Sequence, residues 1–203
     1  MSALVAPASA GEWMTDFPAT MQQAKAENKL VLVDFTGSDC CSACILLRRN
    51  VLDNADFRVY AADKFVLMEV DLPQRHRLAP ELRQQNEALA KRYGVAAFPT
   101  ILVLNPQGEV LGGFQEGDKS VKEAIQQLEE AYMVDALYRK AAMQSGVGSA
   151  SAPSMPRVRA GGSSKGMWCI VAPGKQGQRC AALSHTVTTS SQSCAGNSSV
   201  VLL

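Results

Sequence analysis

An α/β domain built on a mixed sheet is what this sequence predicts, and three observations carry it. Leu30 to Thr36 (LVLVDFT) is a short run that is apolar at odd and even positions alike, as a central strand covered on both sides must be. From there, segments of helical and of strand character alternate along the chain. Finally, Asn105-Pro106-Gln107-Gly108 is a turn between two apolar runs, so one pair of strands is an antiparallel hairpin and the sheet cannot be wholly parallel.

Taken in order, Thr15 to Asn28 carries Phe17, Met21 and Ala24 at spacings of four and three behind Thr15 or Asp16 as a cap, which predicts an amphipathic helix. Trp13 is expected to pack near the start of that helix. The Leu30 strand follows and is broken by Gly37-Ser38-Asp39. The next helix begins at a cysteine cluster, runs through Ile45, Leu46 and Leu47, kinks or restarts near Asp53-Asn54, and continues to about Ala62. Phe65 to Val70 (FVLMEV) is a second strand. Pro80, Leu82, Leu89 and Tyr93, with Gly94 after them, mark a further helix. Thr100 to Leu104 and Glu109 to Leu111 form the hairpin. Ser120 with Glu123 is a capping-box pattern, and Val121, Ile125, Leu128 and Tyr132 give the last helix an apolar face. Phe57, Tyr60 and Tyr93 are assigned to the core and its edge.

The 203 residues fit one domain of ordinary size plus an appendage, and 47% apolar residues suffice for a packed core. A net charge of +1 argues against general attraction to nucleic acid or anionic membrane. Arg157, Arg159 and Lys165 are too dispersed for a nucleic-acid site, and the basic run Gln74-Arg75-His76-Arg77 reads as solvated surface. No apolar run approaches the roughly 18 residues needed to cross a bilayer, so membrane insertion is not expected. Beyond Met143 the composition shifts to Gly, Ser, Ala and Pro without a period, which predicts a disordered tail over 144–203. At the other end, Ala8-Ser9-Ala10 matches the small-x-small pattern before a signal-peptidase site, without the basic segment that opens a complete signal. Residues 1–10 are therefore either the remnant of an export signal or a coincidental match, and the folded domain is placed at 11–143.

Chemistry concentrates at Cys41-Ser42-Ala43-Cys44, a C-x-x-C set between a buried strand and a helix. At a helix N-terminus, unpaired backbone N–H groups favour thiolate over thiol and lower the cysteine pKa from about 8.5 toward neutrality, which makes Cys41 the nucleophile. Cys44, one turn deeper on the same face, resolves a mixed disulfide on Cys41. This exchange of thiols and disulfides needs no cofactor.

These residues resemble the thioredoxin family, and in particular small bacterial thioredoxin-like proteins whose strand ends in Asp-Phe-Thr-Gly-Ser-Asp before the C-x-x-C. The resemblance spans about Gly11 to Tyr138 and includes Phe98-Pro99-Thr100, which is similar to the family's cis-proline loop. It implies a thioredoxin fold, a central mixed sheet flanked by helices. Pro99 is implied to lie beside the redox pair, with the backbone of Phe98 pairing with substrate. Asp34 matches the family's buried acid that assists proton transfer at the deeper cysteine, given one extra residue between Asp34 and Cys41. Glu69 stands where a lysine usually faces this acid, so Asp34 and Glu69 are expected to approach and raise one another's proton affinity, with Glu69 in the proton relay. Cys40 replaces the usual Trp before the first cysteine; it is retained as a substrate contact, with a neutral substitution favoured over a competing or regulatory thiol. Ser42-Ala43 matches neither the thioredoxin nor the disulfide-isomerase dipeptide and leaves the direction of electron flow open.

The implied function is that of a protein thiol–disulfide oxidoreductase, a monomer working on protein disulfide or dithiol substrates with a redox partner protein. Similar bacterial proteins are often exported, so the periplasm is expected, with the cytoplasm as the alternative. A rival reading is a non-catalytic peptide-binding or chaperone-like module with a structural disulfide. A thiol peroxidase would need a further peroxidatic site that the sequence does not offer. Cys169, Cys180, His185 and Cys194 lack zinc-knuckle spacing and are read as incidental, so no metal site is assigned. An iron–sulfur cluster on Cys40, Cys41 and Cys44 across a dimer has no further support.

Overall fold

The computed structural model describes residues 11–144, 157–160 and 168–171. Ala8-Ser9-Ala10, and Cys180, His185 and Cys194 of the tail, lie outside the described residues. The order of elements is β1 (Trp13–Met14), α1 (Phe17–Glu27), β2 (Leu30–Thr36), α2 (Ser42–Leu47), a π-helical turn (Arg48–Leu52), α3 (Ala55–Lys64), β3 (Phe65–Asp71), α4 (Pro80–Tyr93), β4 (Thr100–Leu104), β5 (Val110–Phe114) and α5 (Val121–Gln144). Two short strands, β6 (Arg157–Ala160) and β7 (Trp168–Val171), pair antiparallel within the tail, where the sequence shows no period.

The main sheet has the order β1-β3-β2-β4-β5. β2 runs parallel to β3 and antiparallel to β4, which in turn runs antiparallel to β5, so the sheet is mixed. All seven residues of β2 are buried. Its side chains alternate between two cores: Leu30 and Leu32 meet Leu47, Phe57 and Leu128 from α2, α3 and α5, while Val31, Val33 and Phe35 join Ala24 and Leu89 from α1 and α4. β3 alternates in step, with Phe65 and Leu67 on the first face and Val66, Met68 and Val70 on the second. Each fully buried side chain of this size contributes about 1.5–3 kcal/mol. The same alternation puts Asp34 and Glu69 on the face that carries α2.

Local signals account for most boundaries. Asp16 caps α1, accepting the Ala19 N–H at 2.7 Å, and Pro18 occupies the first turn. Gly94 ends α4 in the left-handed region. Ser120 and Glu123 form the reciprocal capping box: the Ser120 N–H donates to Glu123 at 2.9 Å and the Glu123 N–H to Ser120 Oγ at 3.3 Å. The kink near Asp53-Asn54 is a π-helical turn followed by a new helix, with Asn54 Oδ1 accepting the Asp56 N–H at 2.9 Å.

Two expectations need correction. Trp13 is not a packing residue at the start of α1 but part of an edge strand paired with β3, its ring against the first core. The second strand of the hairpin extends to Phe114 rather than Leu111; Gly112-Gly113 lacks strand character and hides the continuation.

Candidate active site

The end of β2 and the start of α2 are joined by a tight turn in which the Cys40 and Cys41 N–H groups both donate to Gly37 O, at 3.2 and 2.9 Å. Cys41 is the N-cap of α2, and its Sγ accepts the Cys44 N–H at 3.1 Å. The two sulfurs form a disulfide, with Cα atoms 5.2 Å apart. Both cysteines are buried, at 4% and 3% exposure.

Two segments close on this turn from opposite sides. The Phe98–Pro99 peptide bond is cis, Pro99 is buried, and Thr100 Oγ1 donates to Ala97 O at 2.7 Å to tie the loop down. Gly37 lies close against the side chains of the turn and of the proline loop. A methyl there would stand 2.9 Å from Cys40 Sγ, 3.5 Å from Cys41 Cβ and 3.6 Å from the Phe98 ring. Cys40, half-buried and outside the disulfide, thus turns its sulfur toward Gly37. From the other side, the loop between β5 and α5 closes on α2: a methyl at Gly117 would come within 2.7 Å of both Cβ and O of Ala43.

On the α2 face of the sheet, Asp34 and Glu69 are register partners on β2 and β3. A third side chain joins them. The Arg48 guanidinium, from the π-helical turn, lies 3.3 Å from Asp34 Oδ2, contacts Glu69 Oε2, and stacks over the Trp13 ring at 4.7 Å. Asp34 is 2% exposed and its Oδ1 has no hydrogen-bond partner among the described residues. Burial pushes its carboxyl up to about 7; Arg48 opposes this, and Glu69 and Asp71 add to it. Glu69 therefore acts in the expected direction, but desolvation leads.

A second carboxylate cluster fastens the turn from outside. Asp39 accepts the backbone N–H groups of Gln74, Arg75 and His76 at 2.9, 2.6 and 3.0 Å, and its Oδ2 lies 3.1 Å from His76 Nδ1. Desolvation works against its charge, yet these three donors and His76 hold Asp39 well below the usual carboxylate range. Asp71 receives the Ser38 N–H at 2.9 Å and Ser38 Oγ at 2.6 Å. The basic run around His76 is thus lashed to the cysteine turn rather than being only solvated surface. Sequence reasoning passed over Arg48, Gly37, Gly117 and this lashing. Arg48 alone had a visible signal, its place four residues after Cys44 on the same helical face.

Among the described residues no group of three His, Cys, Asp or Glu side chains forms a metal-binding cluster, and no helix is long and apolar enough to cross a membrane.

A family model described as a thioredoxin-like domain matches residues 17–132. The disulfide bond reductase DsbH of Chlamydia pneumoniae is 31% identical over 103 residues, covering 50% of this chain and 62% of that protein. The thioredoxin-related protein DsbJ of Chlamydia pneumoniae is 30% identical over 93 residues, covering 46% of this chain and 27% of that protein. The match thus takes in less than two thirds of either relative's length. A solved structure titled DsbH oxidoreductase superposes with a TM-score of 0.57 at 25% identity, over 66% of this chain and 91% of its own.

Proposed function

This chain belongs to the thioredoxin-like family, and from that premise we propose that it is a thiol–disulfide oxidoreductase that reduces disulfides in other proteins. The observation that carries the proposal is the Cys41–Cys44 pair at the mouth of α2, set beside a cis-proline loop and on the sheet face that holds a buried acid. The reducing direction follows the name of the relative DsbH.

In the dithiol form, Cys41 loses its proton to solvent, and the Cys44 N–H at its sulfur favours the resulting thiolate. The thiolate attacks one sulfur of a substrate disulfide. A mixed disulfide forms, the substrate S–S bond breaks, and the first substrate thiolate leaves and takes a proton from water. Cys44 then gives its proton to Asp34, whose affinity near neutral pH suits it to accept one. The Cys44 thiolate attacks the Cys41 sulfur, the internal disulfide closes, and the second substrate thiolate departs and is protonated. Two electrons have passed from the cysteine pair to the substrate. Asp34 returns its proton toward solvent by way of Glu69, which is half-exposed.

Phe98 and Pro99 present backbone groups to an extended substrate segment, and Cys40 lines the edge of that contact. A separate redox protein restores the dithiol, the chain works as a monomer, and the Ala8-Ser9-Ala10 pattern supports export to the periplasm.

The deciding experiment is the equilibrium of the Cys41/Cys44 pair with glutathione, run beside Cys41→Ser and Cys44→Ser. A reversible two-electron couple near about −270 mV supports a reductase, and one near about −120 mV an oxidant. If no exchange occurs, or Cys41→Ser exchanges as well as wild type, the disulfide is structural and the fold serves as a binding module.

A further inference from the structure

We propose that Arg48 is the positioning residue that holds Asp34 ready as the proton acceptor for Cys44, by bridging Asp34 to Glu69 on the sheet face that carries α2. The proposal rests on the resolving role given to Cys44 above.

Asp34 and Glu69 sit side by side on adjacent parallel strands, on the same face of the sheet. Two carboxylates so placed repel, and the cheap way out is for one of them to stay protonated. A protonated Asp34 cannot accept a proton from Cys44. Arg48 contacts both acids and neutralises part of their repulsion. An arginine suits this place because its guanidinium is planar, always charged and able to serve two carboxylates at once.

Three features fix the guanidinium where it is. The backbone N–H of Arg48 donates to Cys44 O, so arginine and resolving cysteine ride on one turn of the chain. The π-helical turn starting at Arg48 departs from regular α geometry directly below that turn, and such departures recur at functional positions. The Trp13 ring at 4.7 Å covers the guanidinium from the edge of the sheet through cation–π attraction. Trp13–Met14, otherwise a two-residue strand of little consequence, thereby becomes part of the site.

Glu69 and Asp71 on β3 favour its protonated form, Arg48 favours the ionised form of Asp34, and its β4 register partner Ile101 carries no charge. One cation thus stands against two acids and the loss of water. Removing it shifts Asp34 toward the protonated form and leaves Cys44 without an ionised acceptor at neutral pH.

The test follows the reduced full-length protein reacting with the aryl disulfide 5,5′-dithiobis(2-nitrobenzoate), whose thiolate product is coloured. Cys41 attack releases the first thiolate with formation of the mixed disulfide, and closure of Cys41–Cys44 releases the second. The second phase is recorded from pH 5 to 9 for wild type, Arg48→Met, Arg48→Gln, Arg48→Lys and Glu69→Gln, with circular dichroism on each. Arg48→Met is expected to move the midpoint of the second phase up by about one pH unit or more and to slow it about tenfold at pH 7, with the first phase little changed. Arg48→Lys restores most of the shift, and Glu69→Gln moves the midpoint down. An Arg48→Met protein that is folded and keeps the wild-type midpoint overturns the proposal. Should that variant not fold, the decision passes to Arg48→Gln, which removes the charge but keeps a polar side chain: an unmoved or lowered midpoint overturns it and a raised one supports it. Absence of a second phase in wild type removes the resolving role of Cys44 itself, a different failure from the other two.

Discussion

Asp34 and Asp39 stand five residues apart on either side of the turn that leads into the cysteine pair, and they are held in opposite ways. Asp34 is enclosed at 2% exposure, with one cation on one oxygen and no hydrogen-bond partner on the other among the described residues, and its carboxyl is pushed up to about 7. Asp39 is also largely covered, its side chain 16% exposed, but it receives three backbone N–H groups and is pushed down. Nearness to the cysteines does not distinguish them; deep burial, which leads for Asp34, and the three backbone donors on Asp39 do. A deeply buried carboxylate with few donors is ready to take a proton. One that is saturated with them keeps its charge and ties loops together.

The strongest way to break this contrast is Asp34→Asn. The resolving phase at pH 7 should slow by about 100-fold, since the variant has no acid to take the proton. Stability should move the other way. The folded protein binds the Asp34 proton more tightly than the unfolded chain does, so the contribution of this group is complete below the ordinary carboxylate range and is lost as pH rises through about 7. Above that pH the ionised acid is a burden of up to roughly 4 kcal/mol, which Asn relieves. Urea unfolding at pH 8.5 checks this, and a variant no more stable than wild type there would show that burial does not raise the Asp34 carboxyl.

Asp39→Ala is expected to have a smaller and purely local effect. Amide exchange at Gln74, Arg75 and His76 should accelerate about tenfold, while the rate of disulfide exchange stays within about twofold of wild type. A carboxyl-carbon titration by NMR sharpens the pairing, with Asp34 changing near pH 7 and Asp39 ionised throughout the neutral range. Ser38→Ala should do least: Asp71 loses the 2.6 Å hydroxyl bond but keeps the Ser38 N–H. Its melting temperature should fall by no more than about 2 °C.

How much of this was legible depended on whether a residue's role was set by its neighbours in sequence or across the sheet. Leu30 to Thr36 announced a central strand, and strand alternation was enough to put Asp34 and Glu69 on one face. Asp16, Gly94 and the Ser120–Glu123 box declared helix ends by local chemistry. Trp13–Met14 is too short to show a period and gains its place only by pairing with β3. Arg48 sat in plain view after Cys44, but that it reaches Asp34 rather than solvent depends on the π-helical turn, which no pattern of apolar residues reveals. The lashing of the His76 loop by Asp39 spans more than thirty residues and consists of backbone donors, which leave no trace in side-chain spacing.

The contact between Gly117 and Ala43 constrains how this active site can be altered, by evolution or by design. Position 42 faces solvent, whereas position 43 has the backbone of another loop pressed against it. The residues between redox cysteines are a common means of retuning such a pair, but here the two positions are unequal. Position 42 can be varied alone. At position 43 the neighbouring loop is close enough to leave no room for a methyl on Gly117, so Ser42 is the freer of the two positions to vary.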